Sequence, residues 1–235
     1  MKKYLINYAD ITHIQSQKNN TCSGKEIAKF DEVIEYSKKN IDDDFLKKNN
    51  HILSQRRGAG YWLWKPYIIY KTLNLVKEND VVFYSDSGIS FLEDISELLP
   101  VLNSHPSQML VFELDVHKNK TWTKRDCFVL TDCNTSEFAD MNMILASYMI
   151  MKKSHFVMNF IENWLTVCQD YRAITDCENE LGLNNYKEFI DHRHDQSVLS
   201  LISRKFKVNV MPDISQYGNN IRNTKQIINH HRNTL

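Results

Sequence analysis

Apolar residues along this chain fall in short runs separated by polar stretches, and the runs follow two different periods. Leu5-Ile6-Asn7-Tyr8, Glu32–Tyr36, Val81–Tyr84, Met109–Glu113, Ile144–Met151 and Lys207–Met211 are short and mostly rich in β-branched or aromatic residues, which predicts strands. Glu32–Tyr36 is short enough to suit a helix as well. Pro66 stands where a helix tolerates proline, in its first turn, and Tyr67, Ile68, Tyr70, Leu73, Leu75 and Val76 give that helix a broad apolar face. Ile95–Leu102, Phe156–Cys168 and Asp195–Phe206 also read as helices. A polar stretch from Ile11 to Ser23 leads into a short helix expected at Lys25–Phe30, and Asp42-Asp43-Asp44 suits the positive end of a helix dipole. Helices leading into buried strands give the rhythm of an α/β fold, expected here as a central mixed, mostly parallel sheet flanked by helices. No linker, repeat or low-complexity segment interrupts the 235 residues. They are expected to form a single domain, 1–235, with residues 212–235 an arm that folds over the site.

Composition narrows the classes. The 29 basic and 29 acidic side chains balance, so no general attraction to nucleic acid or acidic lipid is expected. Five cysteines, an odd number without a C-x-x-C pair, suit free thiols in a reducing compartment better than disulfides or structural zinc. The first residues lack the long apolar core of a signal peptide and no run approaches transmembrane length, so neither a leader nor a membrane span is expected. A cytoplasmic location is expected, with any membrane contact peripheral and at the inner face.

The candidate chemistry lies mostly where strands stop. Val81–Tyr84 ends in Ser85-Asp86-Ser87-Gly88, and ligands gather at the carboxyl edge of open α/β sheets. A carboxylate there can grip a cation and, through it, a phosphate; Asp-Ser-Gly is also ordinary turn chemistry. Arg56–Pro66 offers two roles: core aromatics with a solvated basic face, or Gly58 and Gly60 approaching phosphate while Arg57 or Lys65 neutralises it. It is neither a Walker A loop nor a G-x-G-x-x-G turn. Glu113, Asp115 and His117 alternate at a strand end, either solvated or placed for acid–base work. Lys124-Arg125-Asp126 suits a charged helix start near an anionic substrate. His192-Arg193-His194-Asp195-Gln196-Ser197 opens the Asp195–Phe206 helix, where Asp195 is either a plain cap or, with Gln196, a pair for sugar hydroxyls.

Four pieces together resemble the nucleotide-sugar glycosyltransferases of the GT-A fold, of the small bacterial or viral capsule and lipopolysaccharide type. They are Arg57–Pro66, the strand into Asp86-Ser87-Gly88, Thr121–Asp126 and His192–Ser197. The resemblance implies transfer of a hexose from a nucleoside diphosphate sugar, most simply a UDP-sugar, to a glycan or lipid-linked glycan hydroxyl. It implies a divalent metal, Mn²⁺ or Mg²⁺, at Asp86, although Gly88 replaces the second aspartate of that family's motif. His230 and His231 are the candidates to complete the metal site if the arm returns to Asp86. Donor contacts are expected from Asn7, Tyr8, Arg57, Gly60, Tyr61, Trp62, Lys65, Asp86, Ser87, Gly88 and Arg232. Tyr8 would stack on the base. Asp195 and Gln196 would meet the donor sugar, with Asp115 or Glu113 as base if the reaction inverts. Acceptor contacts are expected from Trp122, Lys124, Arg125 and His194. Two rivals stand beside this. One is a nucleotide- or sugar-binding module without turnover, and the other a haloacid-dehalogenase-type phosphatase, which Gly88 disfavours.

Overall fold

The computed structural model describes residues 1–215 and 225–231. Its strands are β1 (Lys3–Tyr8), β2 (Glu32–Tyr36), β3 (Val81–Ser85), β4 (Ile89–Phe91), β5 (Met109–Lys118), β6 (Asn142–Ile144), β7 (Tyr148–Lys152), β8 (Asn209–Pro212) and β9 (Ile228–His230). Seven of them make one sheet in the order β2-β1-β3-β7-β5-β6, with β8 also paired to β5; β4 and β9 form a separate ribbon. β1 runs parallel to β2 and β3, and β8 parallel to β5. β7 is antiparallel to β3 and β5, and β6 to β5. The sheet is therefore mixed, with antiparallel pairings as numerous as parallel ones.

β3 is buried at every position, which is why its sequence is a continuous apolar run rather than an alternating one. Its side chains still divide by face. Val82 and Tyr84 join Ile6 and Tyr8 against the helices Trp64–Leu75, His155–Cys168 and Asp195–Lys205. Val81 and Phe83 join Leu5 against Phe30, Phe91, Ile95 and Leu98 on the other side. Each such side chain fully buried contributes roughly 1.5–3 kcal/mol, and together the two layers fix the sheet edge on which the site is built.

The expected parallel majority is not found, because β7 runs antiparallel between β3 and β5 and β6 is antiparallel to β5, and two further expectations need correction. The polar stretch is itself a helix, Ile14–Glu26, and not a loop leading to a helix at Lys25–Phe30. Its buried residues are Ser16, Gln17, Asn20 and Gly24, so no apolar period announces it. Asn20 donates to Ser85 Oγ at 2.9 Å and to the Ile89 carbonyl at 2.7 Å, and accepts from Asn7 at 2.7 Å. Hydrogen bonds replace apolar burial as the tie to the sheet. The second correction concerns Ile144–Met151, which is not one strand. At Leu110 the neighbours are β7 and β8, and at Glu113 they are β6 and β8, so β6 and β7 share one edge of β5. The break between them, Leu145-Ala146-Ser147, turns two carbonyls toward the site.

Candidate functional site

β1 and β3 are parallel neighbours, with Ile6 level with Tyr84, so both end at the same edge. Tyr8 and Asp86 thus emerge side by side, and Ser87 Oγ ties the two exits by donating to the Tyr8 carbonyl at 2.6 Å. The Asp86 amide donates to the Ser147 carbonyl in the β6–β7 break at 2.7 Å. Two helices present their first turns here, one carrying Trp64 and Lys65, the other Asp195 and Gln196. Between these parts lies a cleft of about 540 Å³, whose lining includes Tyr8, Trp62, Lys65, Asp86, Asp195 and His230.

Lys65 is the centre of the polar floor and is buried. Its Nζ donates to the Ala146 carbonyl at 3.0 Å. The same nitrogen lies 3.4 Å from Asp86 Oδ1 and 3.0 Å from Asp195 Oδ2, the latter an ion pair not aligned as a hydrogen bond. Burial alone would lower the Lys65 pKa, but the charges of Asp195 and Asp86 outweigh it and hold the ammonium above its ordinary value. Burial pushes the Asp195 carboxyl up to about 6, against the pull of Lys65. Asp86 Oδ1 also accepts from the Tyr84 hydroxyl. One buried ammonium therefore joins two carboxylates from different elements.

The walls are built by less regular chain. Gly58, Ala59, Gly60, Tyr61 and Trp62 all have positive φ, between 50° and 99°. A left-handed turn of this kind costs roughly 1–2 kcal/mol for each residue with a side chain. A Cβ on Gly60 would lie 2.6 Å from Leu53 Cα, so glycine is required there by space as well as by φ. The turn lays Trp62 against the His194 ring, at 5.3 Å and 20°. Arg57 spans Asp176 at 3.0 Å and Asp191 at 3.2 Å.

Thr121–Asp126 braces the segment that leads into the Asp195–Lys205 helix. The Thr121 and Trp122 carbonyls accept from the Ile190 and Arg193 amides, and the Asp126 carboxylate accepts from the amides of Glu180 and Leu181. His192 belongs to the same brace: its ring accepts from the Lys124 amide and contacts the Ala173 carbonyl, and burial keeps it neutral. His194 is held by the Ile174 carbonyl, and burial lowers its pKa as well.

Of the residues expected to bind donor, Tyr8, Arg57, Trp62, Lys65, Asp86, Ser87 and Gly88 line the cleft. Tyr8 is already stacked on Trp64 at 3.8 Å, and burial raises its hydroxyl pKa to about 12. Asp195, Gln196, His194 and His230 line it too. His230 arrives through β9, which pairs with β4, and the His231 amide donates to the Gly88 carbonyl at 3.0 Å. Other candidates are placed elsewhere. Asn7 is fully buried and spends its amide on Asn20, Thr21 and Gln17. Glu113 pairs with Arg204 at 2.8 Å, and it and Asp115 lie outside the cleft lining, as do Gly60 and Tyr61, although Tyr61 touches the His194 ring. Lys124 is buried with its ammonium on the Cys177 carbonyl at 2.6 Å, and Arg125 packs on Tyr186. Trp122 stands behind Arg193, whose guanidinium lies 4.4 Å from its ring centroid. Arg232 lies outside the described residues. The cleft also takes in Asp10, His13, Arg56, Ala146, Ser147 and Arg193, which the sequence reasoning did not assign. Of these, Arg56 and Arg193 carried a signal, Arg56 at the head of the basic Arg56–Pro66 segment and Arg193 as the middle of the His-Arg-His run.

A divalent metal at Asp86 needs a cage of oxygen or nitrogen ligands. Among the described residues no three His, Cys, Asp or Glu side chains converge for one. Residues 216–224 and 232–235 contain none of these four types. The carboxylate of Asp86 already meets a fixed ammonium and a phenol. This donor set does not fit a metal cage. No helix among the described residues is long and apolar enough to cross a membrane, and all five cysteines are free thiols.

No family model matches this chain, and no curated protein matches it. Solved structures do. Mouse xyloside xylosyltransferase 1, in its apo form, is 10% identical over 100% of this chain and 98% of its own, with a TM-score of 0.51. The bifunctional glycosyltransferase WbbM, also apo, is 10% identical over 92% of this chain, with a TM-score of 0.51. This chain spans only 39% of that one. At such identity the likeness speaks for the fold: an α/β mixed sheet flanked by helices, matching glycosyltransferase structures of the GT-A type.

Proposed function

We propose that this protein is a glycosyltransferase that moves a hexose from a nucleoside diphosphate sugar, most simply a UDP-sugar, to a glycan hydroxyl. The acceptors that fit the resemblance are glycans or lipid-linked glycans of surface polysaccharide, such as capsule or lipopolysaccharide. The observation that carries the reading is the convergence of Asp86, Lys65 and Asp195 at the shared end of β1 and β3. Ligands collect at such sheet edges. Two helix N-termini point their partial positive charge into the same cleft, which favours a diphosphate.

In this reading the diphosphate lies over the helix N-termini near Lys65. Asp86 and Gln196 hold hydroxyls of the sugar. The acceptor oxygen attacks the anomeric carbon, the bond from that carbon to the phosphate oxygen breaks, and the nucleoside diphosphate leaves. Asp195 takes the acceptor proton. A carboxyl titrating near 6 is a far better base at neutral pH than one at the ordinary value. Trp62 and His194 wall the cleft with flat surfaces on which a sugar ring can lie.

The test is release of nucleoside diphosphate from a panel of UDP-hexoses, with and without a set of glycan acceptors. The reading expects acceptor-dependent release with at least one donor. It expects Lys65→Met to reduce that release by at least about a hundredfold, as loss of a preorganised charge does. Release of inorganic phosphate from simple phosphoesters instead would favour a phosphatase and contradict it.

A further inference from the structure

We propose that the cleft grips the donor diphosphate with protein cations, chiefly Arg193 and Arg56, and without a divalent metal. This rests on the reading that a nucleoside diphosphate sugar occupies the cleft. The Asp86 donor set, as shown above, does not make a cage. Lys65 does not supply the missing charge by itself, because Asp86 and Asp195 already share it. With both carboxylates ionised, that trio carries a net negative charge.

The positive charge comes from the walls. Among the described residues, arginine–carboxylate pairs are made by Arg57, Arg172 and Arg204. Arg56 and Arg193 also line the cleft, and among the described residues neither forms an ion pair with a carboxylate. Arg193 is held in position without being neutralised. Its guanidinium lies over Trp122, and its amide is fixed by Ser197 Oγ at 3.1 Å and the Trp122 carbonyl at 3.1 Å. Stacking leaves the guanidinium edge, with its fork of N–H donors, available to phosphate oxygens. Arg56 precedes the left-handed turn and lines the same cleft. Two arginines without an ion-paired carboxylate among the described residues match the charge of a diphosphate, and each guanidinium can meet its oxygens with two N–H donors.

Calorimetric titration of UDP and of uridine into the full chain tests this, once in EDTA and once in Mn²⁺. UDP is expected to bind in EDTA, with Mn²⁺ changing the affinity by less than about threefold. Arg193→Ala and Arg56→Ala are each expected to weaken UDP by roughly tenfold in EDTA, and to leave uridine unchanged. Arg193→Lys should recover part of the loss by keeping the charge. If Arg193→Ala misfolds once its cover of Trp122 is gone, Arg56→Ala still decides the matter. UDP binding that requires Mn²⁺ overturns the proposal, as does EDTA affinity unchanged in both alanine variants. Failure of UDP and uridine to bind under either condition strikes instead at the donor reading beneath it.

Discussion

Asp195 sits beside an ammonium and shares it with a second carboxylate, and burial pushes its own carboxyl from 3.8 up to about 6. The sign of its effect on stability follows from linkage. Below pH 3.8 both folded and unfolded chains hold the proton. Between 3.8 and about 6 only the folded chain does, so this group's contribution to stability falls as pH rises. Above 6 the full cost is present, on the order of 3 kcal/mol. Asp195→Asn removes that titration. Its melting temperature relative to wild type should therefore be higher at pH 7.5 than at pH 4.5, read by scanning calorimetry. A relative melting temperature that is the same at both values would mean that Asp195 is not held in this environment. The same shift gives the acid limb of the activity profile: kcat/KM is expected to rise with pH through about 6. A costly carboxylate kept in a cleft is what a proton-accepting role would require.

The elements that could be read from the sequence were those whose burial is apolar. β3, the Trp64–Leu75 helix and the His155–Cys168 helix bury aliphatic and aromatic side chains, and their apolar runs are visible in the residues. Asp86 and the Asp195-Gln196 pair could be singled out for the same reason, since Asp86 follows β3 and the pair opens the Asp195–Lys205 helix, whose aliphatic side chains are also buried. The Ile14–Glu26 helix was not, because its contact with the sheet is made by amides. Asn7 looked like a base contact at the end of β1, yet it belongs to that amide network. Lys124 and Arg125 looked like ligands for an anion, yet Lys124 spends its ammonium on the Cys177 carbonyl and Arg125 its guanidinium on Asn134 and the Tyr186 ring. Nothing in a linear sequence separates a charged side chain aimed at a ligand from one aimed at a backbone carbonyl 53 residues away. Asn20→Ala checks the network account. It leaves the Asn7 amide and the Ile89 carbonyl short of a partner and should cost about 2–3 kcal/mol in urea unfolding. UDP affinity should stay within twofold, since Asn20 lies outside the cleft lining. A loss of affinity without a loss of stability would return this face to the donor site.

On the scale of the whole molecule, segments far apart in the chain are brought to one sheet edge. Tyr8, Lys65, Asp86, Ala146, Asp195 and His230 reach the cleft from β1, a helix start, the end of β3, the β6–β7 break, a second helix start and β9. Two apolar layers hold that edge rigid from either side of the sheet. The central claim is that this edge receives an activated sugar. Titration calorimetry with a panel of UDP-hexoses tests it most directly, with wild type and Asp86→Ala compared side by side. The account predicts micromolar binding of at least one UDP-hexose, weakened at least tenfold by the substitution. No heat from any nucleotide sugar, or equal affinity in the two proteins, would contradict it.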